Sequence, residues 1–160
     1  MSATRKNIFN IPFILGTILL IGIIFSFSTL TLEFLTFYKN EGTIFKIQDC
    51  IHPNPIKTPC FYGAWGFVFA YFLNRYVNYL EDPLKKSKYL DYLMYFLLFG
   101  TAFAWYNNWS TFIDFYINKA TDTFGCSGQL VTSPYATPCF IGACIFSFAL
   151  LISIIRKKLR

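Results

Sequence analysis

The chain has 160 residues, of which 55% are hydrophobic and 21% aromatic while only 14% are charged. A water-soluble domain of this size needs more charge to cover its surface, so the composition excludes an ordinary soluble enzyme and favours a chain that faces lipid. The formal net charge of +6 is distributed as a topology signal, which excludes a nucleic-acid footprint.

Residues 8–32 form the first uncharged run. About 20 apolar residues suffice to cross the hydrocarbon core as a helix, so a first span is expected near 9–34. It is too long for a signal peptide and lacks a small-residue cleavage site, so it is expected to remain as an anchor. The segment that follows holds Cys50 and the single histidine, His52. Their spacing matches no zinc site, so His52 reads as a loop histidine and no metal is expected.

A second span is expected over 60–79, with Arg75 snorkelling from its end. The turn "EDPLKKSK" leads to a third span near 90–114, within which residues 92–113 carry no charge. "NWS" at Asn108–Ser110 spells a glycosylation sequon, but its place inside this span predicts that it stays unmodified. A loop rich in Gly, Ser and Thr carries Cys126 to a fourth span, 138–155. In lipid every backbone N–H and C=O must be satisfied within its segment, so the spans are helices. The expected fold class is all-α, a four-transmembrane-helix bundle forming a single membrane domain.

Basic residues fix the expected orientation. The ends and the central turn hold Arg5, Lys6, Arg75, Lys85, Lys86, Lys88, Arg156, Lys157, Lys158 and Arg160, whereas the other connections hold only Lys39, Lys46, Lys57 and Lys119. This bias predicts cytoplasmic N- and C-termini, with the cysteine loops on the outer side of a plasma or inner membrane.

The phrase "TPCFYGAWGFVFA" at Thr58–Ala70 returns as "TPCFIGACIFSFA" at Thr137–Ala149, with nine of thirteen positions identical. "STLTLEF" and "STFIDF" also close the first and third spans with small polar residues and an acid. The pattern predicts two duplicated helical hairpins in parallel orientation, about 8–80 and 89–156, related by an axis along the membrane normal. Thr58 and Thr137 suit helix N-caps, and Pro59 and Pro138 suit the first helical position. Gly63, Ala64, Gly142 and Ala143 are expected to let another helix approach closely.

Each hairpin tip carries two cysteines. Cys50 with Cys60, and Cys126 with Cys139, are the pairings that repeat the duplication, although spacing alone leaves three connectivities open. Static bonds there would stabilise by roughly 2–4 kcal/mol each. Cys144 is left over as a small buried hydrophobe. It cannot bond Cys139 while both are helical, because five residues turn the two thiols to different faces.

Cys60 and Cys139 in the first turn of a helix are also placed where a thiolate is favoured. In architecture the chain resembles the disulfide bond formation protein B and vitamin K epoxide reductase families, four-helix membrane proteins with cysteine pairs on the outer side. Pro59-Cys60 is similar to the start of the first family's Pro-Cys-x-x-Cys, with Gly63 where the second cysteine belongs. Cys50 and Cys60 resemble the first-loop pair of the second family. The resemblance implies a thiol–disulfide oxidoreductase that uses Cys50, Cys60, Cys126 and Cys139 and passes electrons to a quinone.

The residues themselves give two readings. The first is a non-catalytic subunit or scaffold of a larger membrane complex, with disulfide-stapled loops, no cofactor, and lipid and other membrane subunits as partners. The second is the oxidoreductase. The polar stretches around Ser26, Thr29 and Glu33, and around Asn107, Asn108 and Asp114, read as hydrogen bonding between helices or as the polar edge of a pocket.

Overall fold

Long apolar runs with few breakers set the helices. The structure, a computed structural model, describes residues 2–43, 54–118, 123–124, 130–131 and 133–159. Helix α1 spans Ser2–Glu41, α2 Pro59–Tyr79, α3 Pro83–Tyr116 and α4 Pro138–Lys158. The architecture is all-α, joined by 3-10 turns at Pro55–Lys57 and Pro134–Ala136. A two-residue antiparallel pairing of Thr123–Phe124 with Leu130–Val131 is added.

Local chemistry explains the boundaries. Helix α1 continues past the expected end near residue 34 because Gly42 supplies the break: its φ of 71° suits a glycine, and its N–H reaches Tyr38 O at 2.9 Å. Helix α3 begins before residue 90 because Pro83 sits at its first position and Asp82 caps it, accepting from Leu84 N at 2.9 Å. Within α1 the hydroxyls of Thr17, Ser26, Ser28, Thr29, Thr31 and Thr36 each donate to the carbonyl four residues earlier. Polar side chains on an apolar helix are thereby satisfied by the helix itself.

Helix α1 packs against α2 and α4, and α3 packs against α4 and α2, so α2 and α4 form the short diagonal. On that diagonal the rings of Phe67 and Phe146 stack, with centroids 4.0 Å apart and 18° between planes. Glycines make room for them. A Cβ on Gly22 would lie 2.7 Å from the Phe67 ring, and one on Gly100 would lie 2.8 Å from the Phe146 ring. The glycines expected to serve close packing do not, since a Cβ on Gly63 or Gly142 would meet nothing within 4 Å.

Buried positions recur at a constant separation. Ala64, Phe67, Ala70, Asn74 and Val77 are buried on α2, and the residues 79 further on, Ala143, Phe146, Ala149, Ser153 and Arg156, are buried on α4. On α1 and α3, Leu15 matches Leu93, Leu19 matches Leu97, Leu30 matches Asn108 and Glu33 matches Thr111, at a separation one residue shorter. This register differs from the one expected from "STLTLEF" and "STFIDF": Glu33 is buried, whereas Asp114 is exposed and accepts from Asn118 Nδ2 at 2.9 Å.

Helix α1 from Ile11 to Glu41 and helix α4 are long and apolar enough to cross a membrane, with mean hydropathies of 2.3 and 2.4. The expectation of four such spans meets a chemical difference in α2 and α3. Those helices carry Tyr62, Tyr71, Asn74, Arg75, Tyr76 and Asn78, and Tyr89, Asp91, Tyr92, Tyr95, Asn107 and Asn108. Much of that set is tyrosine, an aromatic ring with a polar tip.

Candidate functional site

The two copies of Thr-Pro-Cys-Phe start α2 and α4 side by side. Thr58 and Thr137 are both buried, and each hydroxyl donates to the carbonyl of the proline three residues back, Pro55 at 2.7 Å and Pro134 at 2.9 Å. Thr137 also accepts from Phe140 N at 3.2 Å and so caps α4. Thr58 makes no such side-chain cap, and in both copies the threonine carbonyl accepts from the phenylalanine N–H three residues on, at 3.1 Å. With proline next in each copy, the chain enters both helices at the same angle. Cys60 and Cys139 thereby meet in the first turns.

Their sulfurs lie 3.1 Å apart. Cys60 carries a thiol, and Cys139 is one half of a disulfide. This corrects the expected Cys50–Cys60 staple: the Cys60 sulfur is turned across the bundle towards its repeat counterpart. The other two predicted site cysteines, Cys50 and Cys126, lie outside the described residues, as does His52. Cys144 is exposed on the outer face of α4 rather than buried, because five residues beyond Cys139 the helix has turned away from the diagonal.

Below the sulfurs a cavity of about 630 Å³ opens between the helices. Its walls are aromatic, among them Trp65, Phe69, Phe99 and Phe103, and its floor is the Phe67–Phe146 stack. Ser26, Thr29 and Asn107 add polar atoms near the sulfur end. Gly63 and Gly142 also line it, which gives these two glycines a role other than helix contact: the missing side chains leave this space open, while Ala64 and Ala143 beside them are buried. Glu33 is buried on α1. Asn108 is 1% exposed and accepts from the Thr137 hydroxyl at 3.4 Å, tying α3 to the start of α4.

A second cluster escaped the sequence reading. At the opposite end of the bundle Arg156 is 8% exposed, and its guanidinium donates to Asn74 Oδ1 at 2.8 Å and to Asn78 Oδ1 at 2.7 Å. Asn74, fully buried, donates in turn to Pro12 O at 3.3 Å. A basic helix end reads from sequence as a topology marker. The signal available was Asn74, an amide directly after the apolar run of α2 and one residue before Arg75.

Among the described residues no group of three or more His, Cys, Asp or Glu stands close enough to hold a metal ion. Comparison with family models, with curated proteins and with solved structures gave no match, so the functional reading rests on the chain's own residues.

Proposed function

We propose that this protein is a membrane thiol–disulfide oxidoreductase whose reacting sulfurs are Cys60 and Cys139. The observation that carries the reading is the 3.1 Å approach of the Cys60 thiol to the disulfide-bonded Cys139. Exchange needs a thiolate within reach of a disulfide sulfur. The Cys60 thiolate attacks Cys139 Sγ, a Cys60–Cys139 bond forms, and the bond from Cys139 to its partner breaks. That partner leaves as a thiolate and takes up the proton that Cys60 released. The step is redox-neutral. Net turnover moves two electrons and two protons from a dithiol substrate to an acceptor of the quinone class, for which the aromatic cavity beneath the sulfurs is the binding space.

All four helices cross the bilayer in this reading, as two duplicated hairpins. Two features support it. The buried positions of one hairpin recur in the other, and α2 turns Phe72, Tyr76 and Tyr79 outward as exposed aromatics suited to lipid and its interfaces. The sulfur end faces the outer side and the basic end the cytoplasm of a plasma or inner membrane. A non-catalytic subunit would need inert staples. A thiol set against a disulfide favours exchange instead.

Differential alkylation and mass spectrometry of the native protein test this. Under a millimolar glutathione redox buffer, a Cys60–Cys139 bond is expected to appear at the expense of the bond that Cys139 makes at rest. Cys60→Ser is expected to abolish both this rearrangement and oxidation of a dithiol peptide. A Cys139 bond that never exchanges with Cys60 would overturn the redox role and return the scaffold reading.

A further inference from the structure

The two halves of the molecule differ at one buried charge. Arg156 on α4 corresponds to Val77 on α2, and Asn74 on α2 corresponds to Ser153 on α4; all four are buried. Valine fills its place in one hairpin with no loss of the bundle, so the architecture does not require arginine at the other. A charge taken out of water is costly to keep. Here it is held in place by two amide oxygens.

What surrounds Arg156 gives the charge a purpose. A cavity of about 710 Å³ lies between the start of α1, the end of α2, the start of α3 and Arg156. Arg75 and Lys86 line it as well, so three cations share one space, and no aspartate or glutamate is among its described lining residues. Arg75 lies against Tyr79, 5.6 Å from its ring centroid. Two of the nearby acids are used elsewhere: Asp82 caps α3, and Asp91 pairs with Lys157 at 2.6 Å. Asn74, Asn78, Thr17 and Tyr71 add polar atoms, and an apolar wall runs from Ile11, Phe13 and Leu20 on α1 to Leu90 on α3.

We propose that this cavity binds an anionic phosphoryl group through Arg75, Lys86 and Arg156, with any hydrocarbon attached to it lying along the α1 wall. Three cations match the several charged oxygens of a phosphoryl group, and guanidinium donors match their geometry. Basic recesses between membrane helices hold phosphate-bearing headgroups for the same reason. The source is an anionic phospholipid or a free phosphate. Because the symmetric position carries Val77, there is one such site per chain.

The test uses the full chain. In one arm, native mass spectrometry follows release from bilayers of mixed phosphatidylglycerol and phosphatidylcholine. Retention of phosphatidylglycerol over phosphatidylcholine is expected, and each cation removed is expected to lower this preference about fivefold. Arg75→Gln with Lys86→Gln lies outside the packed core and keeps the test valid if Arg156→Gln fails to fold. Lys157→Gln, next in sequence but not part of the lining, is expected to leave the preference unchanged. In the other arm, millimolar inorganic phosphate is added in uncharged detergent. A rise in melting temperature that the Arg75→Gln, Lys86→Gln double variant loses assigns the site to free phosphate. No lipid preference together with no phosphate response overturns the proposal, as does a preference that Lys157→Gln lowers as much as the double variant does.

Discussion

The two ends of the bundle are built on opposite rules. At the sulfur end like meets like: Cys60 touches Cys139, Phe67 stacks on Phe146, and Gly22 and Gly100 each make room for one of those rings. At the basic end corresponding positions differ, Val77 against Arg156 and Asn74 against Ser153. Where a side chain meets its own counterpart, one residue type serves both sides of the contact. Where it meets a different position, as Arg156 meets Asn74 and Asn78, the two positions are free to diverge. The shared sulfur contact and the unshared Arg156 cluster differ in that respect.

This contrast can be broken by comparing equivalent substitutions. Phe67→Ala and Phe146→Ala are each expected to cost about 3–5 kcal/mol, as for aromatic truncation in a packed core. Chemical denaturation in detergent micelles measures this, and costs that differ by more than half would show that the rings do not occupy equivalent sites. A smaller loss is expected from Gly22→Ala and Gly100→Ala. The new methyl would press on a ring held on its other face by the stack, costing roughly 1–3 kcal/mol. Gly63→Ala, whose methyl meets nothing within 4 Å, is the contrasting case and should leave stability nearly unchanged. The smallest effect belongs to the Lys157–Asp91 pair, whose side chains are 45% and 36% exposed. Asp91→Asn should cost less than about 1 kcal/mol, and the difference should shrink further in high salt. A large, salt-insensitive loss would mean that the basic end is more deeply desolvated than its exposure indicates.

Much of the site was legible in the chain. The repeated Thr-Pro-Cys-Phe announces two helix starts with a cysteine in each first turn, because N-cap threonine and N1 proline are local signals needing no tertiary context. What remained hidden was which sulfur faces which. The intra-loop pairing followed from sequence proximity, yet Cys60 is 79 residues from Cys139 and reaches it only because α2 and α4 occupy the short diagonal. Gly63 and Gly142 illustrate the same gap. Small residues in a membrane-type helix read as contact points, and only the packing reveals that they front a cavity.

Composition and local motifs by themselves determined that this chain is helical and where α2 and α4 begin, since those properties depend on short-range chemistry and on how much apolar surface lies in each run. The tertiary structure alone decided that two distant cysteines touch, that Phe67 and Phe146 rather than Gly63 and Gly142 form the contact between α2 and α4, and that Arg156 turns inward to Asn74 and Asn78. Those outcomes depend on the rotation of each helix about its own axis. That rotation is set by the packing of all four helices together, and no single segment encodes it.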